Sequence, residues 1–82
     1  MIRFTRDGWQ DYTSWSDQPK MIQRINRMLV EAARDPGIGI GRPEPLKGDL
    51  SGCWSRRITH EHRLVYVVVD GDIVVLQARH LY

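Results

Sequence analysis

Apolar residues recur in two rhythms along this chain, and the rhythm changes near its middle. Met21, Ile22, Ile25, Met28, Leu29 and Ala32 fall three or four places apart, which is the stripe of an amphipathic helix. Lys20, Arg24, Arg27, Glu31 and Arg34 occupy the opposite face, a pattern that most often marks a solvated surface. Ser16-Asp17-Gln18-Pro19 offers this helix a capping oxygen and a first-turn proline, and Asp35-Pro36-Gly37 ends it. Upstream, residues 2–5 read as a short strand, and Thr5 or Asp7 is placed to cap a first helix. Trp9, Tyr12 and Trp15 follow at three-residue spacing, a stripe that core packing explains better than base stacking. Glycines and prolines then break every period across residues 37–52, a long loop for so short a chain and therefore a functional candidate. Beyond it the rhythm becomes that of strands, at residues 53–59, 62–69 and 73–81, with Asp70-Gly71 as a hairpin turn. This order predicts an α+β fold: an N-terminal strand, two helices and a C-terminal antiparallel meander. The helices should cover one sheet face and leave the other open and polar.

Length and composition narrow the possibilities. Eighty-two residues predict one domain spanning residues 1–82, with one core and one surface site. At 41% hydrophobic and 27% charged residues, the chain has the composition of a folded domain. Cys53 is the single cysteine, which excludes a disulfide framework and a zinc site built on several thiolates; no metal and no cofactor is expected. No apolar run is long enough for a membrane span, and the first residues lack the apolar block of a secretory signal. A cytoplasmic location is therefore expected. The net charge of +2 does not by itself imply nucleic acid. Of the twelve basic residues, however, only Lys20 and Lys47 are lysine. Arginine presents a planar fork suited to phosphate, although a GC-rich coding sequence produces the same bias.

Strand alternation sorts the candidate residues by face. If Trp54 and Ile58 face the helices, then Ser55, Arg57 and Thr59 face the open side, and Arg63 in the next strand can stand beside Arg57. Glu44 and Lys47, from the loop, add a carboxylate and a further cation. His60, His62 and His80 are the possible proton carriers. His60 and His62 flank a tight turn and are expected to meet solvent, and Cys53 is expected to be a small half-buried side chain.

Three stretches carry a resemblance: Arg42-Pro43-Glu44-Pro45-Leu46-Lys47, Leu50-Ser51-Gly52-Cys53-Trp54-Ser55-Arg56-Arg57-Ile58, and Glu61-His62-Arg63-Leu64-Val65-Tyr66. Together with Trp9, Asp11, Tyr12 and Trp15, they closely resemble the YoeB (Txe) toxins of the RelE-like superfamily in bacterial toxin–antitoxin systems. The resemblance spans essentially the whole chain. It implies a RelE-like microbial RNase fold and a ribosome-dependent endoribonuclease that cuts mRNA in the ribosomal A site without metal or cofactor. It further implies a cognate YefM/Phd-like antitoxin as partner, contact with operator DNA only through the antitoxin complex, and a tendency to form homodimers. Residue by residue, Glu44 matches the general base and Arg63 the phosphate-stabilising arginine. Arg57 and Lys47 match supporting cations, and Tyr82 matches the terminal tyrosine that helps place the substrate.

The chemistry also suits these residue types on physical grounds. A base that takes the proton of an RNA 2′-hydroxyl lets that oxygen attack the adjacent phosphorus in line, and fixed guanidinium groups stabilise the charge that gathers on the phosphoryl oxygens. An acid must then protonate the departing 5′-oxygen, leaving a 2′,3′-cyclic phosphate and a 5′-hydroxyl. Nearby arginines weaken a carboxylate as a base, so Glu44 must stand off from them or be partly desolvated. The bland alternative for Glu44 is a loop ion pair with Lys47 or Arg42. The ending departs from the family's usual Arg-Tyr-His-Tyr: here it is Arg79-His80-Leu81-Tyr82. Leu81 occupies the place of the penultimate histidine, the family's proposed general acid, and His80 comes one place early. In a regular strand that offset turns His80 to the opposite face; a frayed terminus would let it swing back. The rival reading is a weakly catalytic or non-catalytic module with the same fold that binds the ribosome or the antitoxin.

Overall fold

A computed structural model describes residues 1–81 of the chain. The elements run β1 (Ile2–Phe4), α1 (Arg6–Thr13), α2 (Pro19–Arg34), β2 (Glu44–Pro45), a single 3-10 turn (Gly48–Leu50), β3 (Cys53–Arg57), β4 (Arg63–Val69) and β5 (Asp72–Gln77). The expected order of strand, two helices and antiparallel meander is therefore present. The sheet is mixed and five-stranded, in the order β1-β5-β4-β3-β2. β1 joins β5 in parallel, while β2 adds a strand inside the segment expected to be a plain loop.

The apolar stripe of α2 forms the centre of the core. Ile25, Met28, Leu29 and Ala32 are buried against Ile58, Leu64, Tyr66, Ile73 and Val75 of one sheet face. At the helix start, Pro19 takes the first turn, but Gln18 is the capping residue and no side chain caps the helix. The capping oxygen expected from Ser16 or Asp17 is thus not used. α1 is fastened directly to β5. Thr5 Oγ1 accepts from the Gly8 N–H (3.1 Å) and donates to the Val75 carbonyl (3.2 Å), so one hydroxyl both caps the helix and ties it to the sheet. Gly8 lies so close that a β-carbon there would sit 2.2 Å from the Val75 carbonyl oxygen.

The three tryptophans separate. Trp15 is buried and Trp54 packs on the core, but Trp9 is 53% exposed and lies against Phe4 and Tyr12 at the surface. Trp9 is therefore not the core residue that its spacing suggests: α1 ends at Thr13, so Trp15 lies beyond it and the three do not share one helical face. The open sheet face is also less polar than expected. Its register aligns Cys53 with Val67 and Val67 with Val74, an apolar band, next to Ser55 and Val65, both buried. The polar groups are gathered at the other end of this face.

Candidate active site

That polar end is built by strand register. Arg57 is the last residue of β3 and Arg63 the first of β4, and the two are a directly opposed pair, which sets their Cα atoms about 4.5–5.5 Å apart. Opposed like charges destabilise a sheet, and the structure braces them. Arg63 Nη1 donates to the carbonyls of Thr59, His60 and His62 at 2.9, 2.7 and 3.3 Å, closing the β3–β4 turn around its own guanidinium. The Arg57 N–H donates to the Gly41 carbonyl at 2.6 Å. Arg24 of α2 donates to the carbonyls of Arg57 and Ile58 at 2.9 and 2.8 Å. Arg24 therefore belongs to the frame of the site, not to the solvated surface expected for its helix face; Arg27 pairs with Glu31 at 2.8 Å.

Glu44 enters this face from β2. It is the partner of Ser55, two positions before Arg57 on the neighbouring strand, which makes it a diagonal neighbour of Arg57 at about 7–8 Å. Glu44 is exposed, so the desolvation condition is not met. Lys47 is exposed and precedes the 3-10 turn, three residues beyond Glu44.

The loop that delivers Glu44 is held by a residue the sequence reading left without a role. Arg56 is fully buried on the helix side of β3. Its Nε donates to the Tyr66 hydroxyl at 2.9 Å, and its two Nη atoms reach the carbonyls of Asp35, Pro36, Ile38 and Ile40. Tyr66 donates in turn to the Pro36 carbonyl at 2.5 Å. Burial pushes the pKa of this phenol above its usual value, against the opposing pull of Arg56, so the hydroxyl stays a donor. Glu31 Oε1 accepts the Ile40 N–H at 2.8 Å. That bond, followed by the one from Arg27, holds the Glu31 carboxyl below the usual carboxylate range. Gly41, at φ 87°, follows immediately; a β-carbon there would meet Met28 Sδ at 2.8 Å and Arg56 Cβ at 3.0 Å.

The C-terminal segment departs from the expected strand. β5 stops at Gln77, not Leu81, and His80 adopts φ 65°, so strand alternation does not govern where His80 points. The His80 carbonyl accepts from the Arg63 N–H and from Gln77 Nε2, both at 3.0 Å. Its N–H donates to His62 Nδ1 at 2.8 Å, and the two imidazoles lie 5.5 Å apart. His62 is accordingly not the solvent-facing turn residue expected: its side chain is 15% exposed and meets Trp15 edge-on at 5.1 Å. One residue earlier, Arg79 stacks over Trp15 at 3.9 Å and donates to Ser14 Oγ at 3.0 Å. Earlier still, the Ala78 peptide is gripped from both sides, by Asp11 Oδ2 at 3.1 Å and Trp15 Nε1 at 2.7 Å. The early Asp11 and Trp15 thus serve the end of the chain. Tyr82 lies outside the described residues.

Register therefore brings Glu44, Arg57 and Arg63 to one sheet face, and backbone bonds attach His80 to Arg63. Gln77 is a further neighbour, aligned with Val65 through a register shift between Val65 and Tyr66; its even spacing from Ile73 and Val75 points to the other face, so no sequence signal marked it. Two shallow grooves, one lined by Trp15, Met21, His60 and His62 and the other by Asp7, Asp11, Gln77 and Leu81, run beside the C-terminal segment and include neither Glu44 nor Arg57. Among the described residues, no group of three or more His, Cys, Asp or Glu is gathered to hold a metal ion, and no helix is long and apolar enough to cross a membrane.

Comparison with known proteins agrees with this architecture. Residues 4–82 match the family described as the YoeB-like toxin of bacterial type II toxin–antitoxin systems. The toxin YoeB of Streptomyces coelicolor is 55% identical over 82 residues, covering 99% of this chain and 98% of that protein. Among solved structures, the YoeB–YefM complex from Staphylococcus aureus superimposes with a TM-score of 0.92 at 40% identity, covering 100% of this chain and 97% of that one. The YoeB dimer from the same organism gives 0.89 at 41% identity, with 99% and 95% covered. The fold alone extends to the toxin–antitoxin complex RelBE2 of Mycobacterium tuberculosis, with a TM-score of 0.73, 24% identity and coverage of 99% and 96%.

Proposed function

The chain belongs to the YoeB-like toxin family of bacterial type II toxin–antitoxin systems, and from that membership we propose that it is a ribosome-dependent, metal-independent endoribonuclease that cleaves mRNA in the A site and halts translation. Glu44 takes the 2′-hydroxyl proton, Arg63 and Arg57 stabilise the charge on the phosphoryl oxygens, and Lys47 and Tyr82 help to position the strand. His80 supplies the leaving-group proton. The observation that carries this reading is the register of β2, β3 and β4, which sets one carboxylate diagonally across from an opposed pair of arginines on an open face. An incomplete site of this kind gains from a ribosome that holds the message in an in-line geometry. The chain acts in the cytoplasm. Its partner is a YefM-like antitoxin, in keeping with the complex of the Staphylococcus aureus relative, and it forms a homodimer as that relative does.

One observation favours a second reading, the poorly cutting binding module: His80 is turned against His62, and Leu81 stands at the family's acid position. Primer extension on mRNA bound to programmed ribosomes separates the two. The ribonuclease reading expects an A-site cut that Glu44→Gln reduces by about 10²–10⁴-fold with the fold intact. Translation block without a cut establishes the binding module instead.

A further inference from the structure

Ala78, Arg79 and His80 are fastened one by one, and one fastening depends on a proton. A backbone amide can only donate a hydrogen bond, so His62 Nδ1, 2.8 Å from the His80 nitrogen, must offer its lone pair. The imidazole is then neutral, with its hydrogen on Nε2. A second proton would have to sit on Nδ1 and would set two donors against each other. The segment it would release is held under tension. His80 lies in the left-handed region at φ 65°, which a β-carbon disfavours, and it is kept there by His62 on its N–H and by Arg63 and Gln77 on its carbonyl.

We propose that His62 is a proton-operated latch on the C-terminal segment, holding His80 beside Arg63 when neutral and releasing it when protonated. Charged and titratable groups face it from three sides. From the β3–β4 turn, Glu61 Oε1 stands 3.7 Å from Nε2, with Glu61 largely exposed. Arg63 follows on the same turn, its guanidinium engaged with three turn carbonyls. From the C-terminal segment come Arg79, over Trp15, and the His80 imidazole. From the helical layer, the adjoining group is the uncharged edge of Trp15, while the Asp11 carboxylate is engaged by the Ala78 N–H. His62 is thus a positioning residue. The step from latch to RNA cleavage rests on the ribonuclease reading, whereas the latch itself is measurable without RNA.

The test follows the His80 amide and the His62 ring nitrogens by nuclear magnetic resonance in the ¹⁵N-labelled full chain, titrated from mildly alkaline to mildly acidic solution. The expected result is an Nε2–H tautomer at His62 with a protected His80 amide, and exchange of that amide about tenfold faster, after correction for its intrinsic rate, once His62 is protonated. His62→Asn, whose Oδ1 replaces the acceptor but does not titrate, should keep the amide protected in acid. His62→Leu should leave it unprotected throughout while the Tyr66 and Val75 amides stay protected. A proton found on Nδ1 in the neutral form overturns the proposal. So does a His80 amide whose protection ignores both acidification and His62→Leu. Because the wild-type titration needs no variant, a misfolded His62→Leu leaves the proposal open to refutation.

Discussion

Arg57 and Arg63 face one another as a directly opposed pair across β3 and β4, yet their supports differ. The guanidinium of Arg63 closes the turn through three carbonyls, while Arg57 is fixed through its backbone. Removing either charge relieves the repulsion, but only Arg63 gives up turn bonds in exchange. Arg57→Gln should therefore stabilise the fold slightly, by about 0.2–1 kcal/mol. Arg63→Gln should destabilise it by about 1–3 kcal/mol. Both should lose mRNA cleavage. Urea denaturation of the two variants checks the opposite signs. Equal destabilisation would show that Arg57 has a structural role the register does not reveal.

The loop that carries Glu44 owes its shape to Arg56 and Tyr66. Tyr66→Phe leaves the Arg56 Nε–H and the Pro36 carbonyl without the hydroxyl between them, a cost of about 1–3 kcal/mol. Arg56→Met gives up every carbonyl that the guanidinium gathers from residues 35–40. It should be the more destabilising of the two, and it should also weaken cleavage by loosening the path to Glu44. Denaturation midpoints, read beside cleavage rates, test this ranking.

Glu31 makes a pH-dependent contribution to the same loop. Its carboxyl is held below the usual range by the Ile40 N–H and then by Arg27. The sign follows from linkage: a depressed value contributes stability above the unfolded-state value of about 4.3, and that stability is lost as pH falls through the folded value. Glu31→Gln should thus be less stable than wild type at neutral pH, with the gap closing in acid. Urea midpoints for both proteins at neutral and acid pH measure it, and a constant gap would remove Glu31 from the acid response.

Much of this arrangement is legible in the sequence because it rests on local rhythm. The 3.6-residue stripe of α2, the alternation that puts Arg57 and Arg63 on one face and the Asp70-Gly71 turn are all short-range signals. What escaped depends on partners distant in the chain. Arg56 carries no role in the sequence reading, because nothing local shows that the carbonyls of residues 35–40 will converge on it. β2 is hidden among prolines and glycines, since two residues pairing with β3 leave no period to detect. His62 reads as a turn histidine until β5 brings His80 alongside it. The resemblance gave the loop candidate Glu44 its role as base, and the register then gave it a position relative to Arg57.

The end of the chain provides the sharpest remaining test of the chemistry. Relative to the family's usual ending, the histidine comes one place early and Leu81 stands in its place, which suggests exchanging the two. The backbone argues against that double change. His80 sits at φ 65°, a conformation that histidine enters several-fold more readily than leucine, so H80L/L81H would add strain of up to about 1 kcal/mol. It would also remove the imidazole that packs on His62. Leu81→His alone leaves the His80 bonds in place and sets an imidazole where the family carries its proposed acid. If the leaving-group proton limits cleavage, Leu81→His should raise the rate on programmed ribosomes by up to about 10²-fold. The double exchange should gain less and lose protection at the residue-80 amide. An unchanged rate for Leu81→His would mean that proton delivery is not limiting, and that the one-place offset of the histidine has no catalytic consequence.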